Sequence, residues 1–228
     1  MPGVGDVHVT VIAKAPVPGR VKSRLCPPCS FEQAAEIAAA ALSDTFDALD
    51  TVRHHVNGVA VERYLLLDGE PQPWMPSHFA PVPQRGDGLG ERLRNGFADL
   101  GAGAIVGMET PHVVHHLDRA LDWLAADTDV LGPAEDGGYW MIGLGPSALH
   151  ALDDVFREVP MSAPDTGEVQ LRRLRQLGRP VHLLPAARDL DTIDDLRAVV
   201  LMDNPGRLGA VAATTLGSLP AGGHEAGR

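Results

Sequence analysis

Lysine is almost absent from this chain. Only Lys14 and Lys22 occur among 228 residues, while arginine supplies the rest of the 19 basic side chains. Cysteine is nearly as scarce. The pair Cys26 and Cys29 cannot complete a four-ligand zinc site without histidines from elsewhere. The two prolines between them make an extended turn and not the start of a redox helix, and although Arg20, Lys22 and Arg24 nearby could lower a thiol pKa, no functional role is expected of the pair. No apolar run approaches membrane-spanning length, which sets a membrane partner aside. The start of the chain does not read as a signal peptide, so a cytoplasmic location is expected. A net charge of −11 argues against nucleic acid, whose phosphates would be repelled over most of the surface. Trp74, Trp123 and Trp140 are too scattered for a base-stacking platform and read as core or pocket wall.

Both lysines fall in one segment, Ile12-Ala-Lys-Ala-Pro-Val-Pro-Gly-Arg-Val-Lys-Ser-Arg-Leu25. A compact ammonium acts as a point charge on phosphate, arginine adds a bidentate fork, and Gly19 lets backbone N–H groups approach closely. The loop follows an apolar strand and precedes a helix, which is where α/β sheets hold ligands. Phosphate is therefore the expected partner, with Lys14 and Lys22 both exposed to it.

Strands and helices alternate along the chain. Val7–Ala13 reads as a buried strand, and Ser30-Phe-Glu-Gln33 is a capping box opening an alanine-rich helix to about Leu49. Val59–Leu67 is a second strand, followed by a proline-rich loop from Pro71 to Pro83 and a helix from Gly86 to about Leu100. Ala104–Val106 is a short strand. Thr110 then reads as an N-cap with Pro111 at the first helical position, and Val114, Leu117, Leu121 and Leu124 form the inner face. Strand-like runs flank the glycine turn after Asp136. Helices near 146–156 and 166–177 precede the strand Val181–Leu184, and Asp191 or Thr192 caps a last helix. This alternation predicts a mainly parallel sheet covered on both faces, a Rossmann-like three-layer α/β/α sandwich. Residues 1–205 are expected to form one domain. From Gly206 to 228 the Gly, Ala, Thr and Ser content suggests a mobile tail.

Glu109, Asp136, Asp189 and Asp191 each stand near a strand end or the turn after one, so a parallel sheet can bring several of them to the edge that carries the lysine loop. Scattered single carboxylates suit magnesium, which takes one or two protein oxygens beside substrate phosphates and waters. Read singly, Asp136 is a turn residue, and Asp189 and Asp191 are helix caps. His112 and His116 share helical spacing without an evident third ligand and read as an exposed face.

The segments Lys14–Leu25, Gly86-Asp-Gly-Leu-Gly-Glu-Arg-Leu93, Gly107-Met-Glu-Thr-Pro111, Gly132-Pro-Ala-Glu-Asp-Gly-Gly-Tyr139 and Asp189-Leu-Asp-Thr192 together resemble a bacterial family of glycosyltransferase-A type. Its members are labelled nucleotide-diphospho-sugar transferases or glycosyltransferases. The lysine loop is also similar to that of small nucleotidyltransferases such as molybdenum cofactor guanylyltransferase and 2-phospholactate guanylyltransferase. The resemblance implies a transferase with Mg2+ (or Mn2+) held by Glu109, Asp136 and Asp191. It also implies nucleotide contacts from Ala13, Lys14, Pro16, Gly19, Lys22, Arg24, Gly88 and Arg92, with Lys14, Lys22 and Arg24 taking catalytic roles. Transfer of a nucleotidyl group from a nucleoside triphosphate is slightly favoured. Transfer of a sugar from a nucleotide-diphospho-sugar to an unknown small acceptor is the alternative, and a nucleotide-binding protein without turnover is a third reading. The family pattern carries Ser-Asp where this chain has Met108-Glu109, and Met161-Ser-Ala-Pro-Asp-Thr166 replaces a Trp-Ser-Thr stretch.

Overall fold

The computed structural model describes residues 7–203 and 206–219. Strand β1 (His8–Lys14) is followed by a short 3-10 turn and helix α1 (Phe31–Asp50). A hairpin of β2 (His55–Val56) and β3 (Val59–Ala60) turns at Asn57-Gly58, both with positive φ, and leads to β4 (Glu62–Asp68). Then come β5 (Ala80–Pro83), α2 (Leu89–Leu100) and β6 (Gly103–Gly107). A 3-10 segment, Pro111–His116, precedes α3 (Leu117–Ala125). β7 (Asp129–Pro133) and β8 (Tyr139–Leu144) form a hairpin, followed by a second 3-10 segment and α4 (Leu152–Phe156). The remaining elements are α5 (Thr166–Gln176), β9 (Val181–Leu183), α6 (Ile193–Val200) and α7 (Gly206–Ser218).

The central sheet has the order β5-β4-β1-β6-β8-β7-β9. Only β8 opposes the others, pairing antiparallel with β6 and β7. Chain order reverses beside β1, with β4 on one side and β6 on the other, so the C-terminal ends of these three strands frame a crevice. Because β8 runs backwards, its first residues, Tyr139 and Trp140, reach the same edge as Gly107. One face of the sheet packs on α1 and α3 through Leu42, Phe46, Leu117 and Leu121. The other packs on α2, α4 and α5 through Leu93, Phe97, Val155 and Leu174. The expected layered α/β fold is the one observed.

Three expectations need correction. The loop 71–83 contains a strand, β5, at the sheet edge, where Pro81 and Pro83 can replace residues whose N–H would otherwise face solvent. Thr110 does not cap a helix with its side chain. Its φ of −128° and ψ of 54° depart from the extended N-cap geometry, and the chain runs as a 3-10 segment before α3 begins. The expected tail is a helix over Gly206–Ser218, while residues 220–228 lie outside the described residues. Leu208, Ala212 and Thr215 recur at helical spacing and are buried. Leu208 and Ala212 join Ile37 and Ala41 of α1 and Leu196 of α6 in a third apolar cluster. Asp44 accepts hydrogen bonds from the N–H groups of Arg207 (3.1 Å) and Leu208 (2.8 Å), neutralising the start of α7. Alanine on both sides of α1 lets the sheet and this outer pair of helices approach it closely.

Asp129 and His8 are among the polar side chains enclosed in the core. Asp129 accepts Nε and Nη2 of Arg179 at 2.9 Å each, and its Oδ1 also accepts the N–H of Gly145 at 2.9 Å. His8, at 2 % exposure, lies with Nε2 3.2 Å from the Gly101 carbonyl and Nδ1 2.8 Å from the Thr10 hydroxyl. This network assigns the neutral ring with its proton on Nε2, and burial pushes the imidazole pKa down to about 4. Between that value and the ordinary 6.5 the unfolded chain binds a proton that the folded chain refuses, so stability falls as pH drops through this window. The full loss is about 3 kcal/mol. In urea denaturation the midpoint should drop markedly from pH 7 to pH 4.5, and should drop less in His8→Gln; equal drops would locate the titration elsewhere.

Candidate active site

The crevice beside β1 is a cleft of about 610 Å³. Lys14 ends β1 at its mouth, exposed, and among the described residues it forms no ion pair. Asp68 ends β4 and takes Arg92 at 3.0 Å and Arg20 at 3.7 Å. Gln84 links the strand ends, donating to the carbonyls of Ala13 (2.7 Å) and Leu66 (2.9 Å) while accepting Arg92 at 3.1 Å. Gly88 starts α2 without any side-chain cap, and Gly88 and Leu89 line the cleft.

Across the cleft stand the carboxylates. Glu109 follows β6, and its backbone is held by α1, because the Thr45 hydroxyl lies 2.9 Å from the Ala41 carbonyl and 3.1 Å from that of Met108. Asp189 and Asp191 follow β9, where an isolated bridge between Ala134 and Ala187 extends the sheet toward the same edge. Asp136 sits in the β7–β8 turn and accepts the N–H of Gly138 at 2.8 Å. That turn requires glycine at 137, where φ is +91° and a Cβ would fall 1.8 Å from the Pro164 carbonyl oxygen.

Lys22 is the departure from expectation. Its side chain is only 4 % exposed and does not point freely to solvent. The ammonium pairs with Glu109, stands 3.5 Å from Asp191 and donates to the Leu190 carbonyl. Acidic neighbours explain this burial: an ammonium can leave water where carboxylates and a carbonyl surround it. Lys22 also holds a left-handed φ of 49°, uncommon for a residue with a Cβ, so its side-chain contacts offset a backbone cost. Arg24, largely exposed, reaches Asp191 at 2.7 Å.

The electrostatics show that all four carboxyl groups share one neighbourhood. Burial raises the Glu109 pKa most, Lys22 opposes it, and Asp191 and Asp136 push it further up. Asp189 is pushed up to about 7, chiefly by burial and then by the charges of Glu109 and Asp136. Tyr139 lines the cleft with its hydroxyl 3.6 Å from the Met161 sulfur, and burial pushes its pKa upward.

Of the residues expected here, Ala13, Lys14, Lys22, Arg24, Gly88, Arg92, Glu109 and Asp191 line the cleft. Pro16 and Gly19 lie outside its lining: the Pro16 carbonyl accepts Gln72, and Gly19 serves a turn at φ +78°. Asp136 is also outside the lining and acts on the cluster through its charge. Asp189, left out of the expected ligand set, lines the cleft with a carboxyl raised like that of Glu109, while Arg20 and Gln84 belong to the opposite wall and Asp68, outside the lining, pairs with Arg20. The basic neighbours Arg20, Lys22 and Arg24 do not lower either thiol. Both thiols are raised, mainly by burial, with Glu32 adding to the effect at Cys26.

Among the described residues, no three Asp, Glu, His or Cys side chains, His112 and His116 included, are arranged to chelate a metal. The donor set nevertheless suits Mg2+ or Mn2+, since it is all oxygen and four carboxyl groups face one ammonium and one guanidinium. To hold a divalent ion there, Glu109 would have to give up the ammonium of Lys22 that now occupies it.

Residues 51–163, just under half of the chain, match a protein family described as an uncharacterized protein conserved in bacteria, DUF2064. No curated protein matches the sequence. The fold is similar to that of a candidate nucleotide-diphospho-sugar transferase from Desulfovibrio desulfuricans G20, with a TM-score of 0.79 and 21 % identity over 92 % of this chain and 95 % of that one. At that identity the likeness is one of fold. Rv0371c from Mycobacterium tuberculosis H37Rv gives 0.49 at 18 % identity over 85 % and 97 % of the two chains, and its complex with manganese gives 0.45.

Lys22→Met should leave Glu109 and Asp191 without their shared cation and lower stability by roughly 3 kcal/mol in metal-free buffer. Millimolar Mg2+ or Mn2+ should recover more melting temperature in this variant than in the parent, because the ion then meets no competing ammonium. A variant as stable as the parent, or one indifferent to metal, would show that these carboxylates do not share a cation position.

Proposed function

We propose that the chain is a transferase that holds the diphosphate of a sugar nucleotide in the large cleft and passes the sugar to a small-molecule acceptor. One arrangement carries the reading. At the point where strand order reverses, Lys14, Arg20 and the uncapped start of α2 face, across the cleft, the carboxylates gathered round Lys22. Anions bind well on the first wall and a divalent cation on the second, as a metal-bound diphosphate requires.

Sugar transfer takes precedence here over the nucleotidyl transfer that the sequence slightly favoured. With Lys22 and Arg24 tied to carboxylates and Arg92 held by Asp68 at 3.0 Å, Lys14 and Arg20, whose contact with Asp68 is a longer 3.7 Å, are the main cations left to the ligand. That supply suits a sugar diphosphate better than the more highly charged triphosphate. The neighbour with the same fold, described as a candidate nucleotide-diphospho-sugar transferase, favours the same choice.

In this reading the acceptor forms a bond to the anomeric carbon and gives up its proton to water, the bond from that carbon to the diphosphate breaks, and the electron pair leaves on the diphosphate oxygen. Lys14 and Arg20 stabilise that charge, and the α2 N–H groups orient it. Glu109, Asp189 and Asp191, with Asp136 adding its charge from outside the lining, would hold Mg2+ or Mn2+, which would neutralise the diphosphate. Tyr139 and Trp140, at the start of β8, form the wall nearest the sugar or base.

Incubation with a panel of nucleotide-diphospho-sugars and either metal should release nucleoside diphosphate. Pyrophosphate release from a nucleoside triphosphate would instead establish nucleotidyl transfer, and tight nucleotide binding without either product would establish a non-catalytic binder. Lys14→Ala should weaken nucleoside diphosphate binding about 10- to 100-fold, the equivalent of one charge-assisted hydrogen bond, with the melting temperature unchanged. Unaltered affinity would remove Lys14 from the phosphate site.

A further inference from the structure

A second cavity, of about 320 Å³, lies under α6 and the start of α7. It shares only Glu109 and Asp189 with the large cleft, so these two carboxylates form the partition between the cavities. On the proposed reading they also face the reacting sugar. A compartment on the far side of that partition is where the second substrate of a transfer would have to stand.

We infer that this cavity is the acceptor site, and that it takes an uncharged or cationic small molecule bearing a hydroxyl or amine and an apolar face. The inference rests on the sugar-transfer reading above. Leu190, Val199, Met202 and Leu208 give the cavity an apolar wall. Five lining carboxylates, Asp44, Asp47, Glu109, Asp189 and Asp195, face one lining guanidinium, Arg188. Arg188 is already bound to Asp195 at 2.7 Å, and Arg207 at the rim is shared between Asp44 and Asp47. Little positive charge is left for a ligand, so a phosphate- or carboxylate-bearing acceptor is repelled while a hydroxyl or ammonium finds acceptor oxygens. The volume admits roughly ten non-hydrogen atoms, on the basis of about 30 Å³ for each water of the liquid.

Methionine methyl groups report on both compartments. Met202 lines the small cavity, while Met108 and Met141 line the large one. In the full chain labelled with ¹³C-methyl methionine, UDP with Mg2+ should shift Met108 or Met141, and 6-aminohexan-1-ol should shift Met202. The amino alcohol should still bind when UDP is saturating, and 6-hydroxyhexanoate should bind at least tenfold more weakly. Ala198→Phe, which fills the cavity, should abolish the Met202 response and leave the UDP response intact. Should that variant fail to fold, Asp47→Lys on the exposed rim should narrow the preference for the amine over the carboxylate by about tenfold, the effect of one rim charge pair reversed. Competition between UDP and the amino alcohol, a silent Met202, or equal binding of the two probes would overturn the acceptor assignment. If UDP moves neither Met108 nor Met141 while the amino alcohol still moves Met202, the sugar-nucleotide reading itself has failed and the acceptor role falls with it.

Discussion

One ammonium holds three distant parts of the chain together. Lys22 comes from the loop after β1, Glu109 from the end of β6, and Leu190 and Asp191 from the segment before α6, 168 residues beyond the lysine in the case of Leu190. Removing any of these partners would leave a charge in a place that water reaches poorly, which is why the arrangement is costly to break even though such a pair adds little net stability. The carboxylates could not be packed so closely without it. Asp189, which forms no ion pair with Lys22, has its carboxyl raised to about 7, chiefly by burial and then by the charges of Glu109 and Asp136.

The sheet makes this meeting possible. Parallel strands deliver Lys14, Asp68 and Glu109 to one edge, and the reversed β8 brings Tyr139 and Trp140 to the same edge from the opposite direction. The Asp136 turn is fixed from outside the sheet, since Gly167 at the start of α5 donates to the Gly137 carbonyl at 2.8 Å. Charge on one wall of the cleft is thus set by loops, and its position by strands that do not move independently of the core.

Local features of the sequence were legible where they act locally. Ser30 and Gln33 do form both hydrogen bonds of the capping box, and Thr192 caps α6 with Asp195. The apolar run at β1 and the stripe through Leu117, Leu121 and Leu124 lie where their spacing placed them. Strand β5 was hidden because prolines mask an edge strand that needs few ladder hydrogen bonds. Helix α7 is hidden because its small residues read as a solvated segment, although Leu208, Ala212 and Thr215 share a face. The clustering of the carboxylates could be anticipated from strand ends, but the burial of Lys22 could not. It depends on Leu190 and Asp191 arriving from a remote segment, and no spacing near residue 22 encodes that approach.

The two-sided burial of α1 has a consequence for how the chain is made. Its inner face meets the sheet, while Ile37, Ala40 and Ala41 on the other side are covered mainly by α6 and α7, with Leu25, Cys29 and Leu190 beside them. Asp44 waits 164 residues for the Leu208 N–H it binds. At roughly 5–20 residues per second of synthesis, that interval lasts on the order of ten to thirty seconds. A nascent chain therefore carries a largely bare apolar strip on α1 until α6 and α7 emerge to cover it.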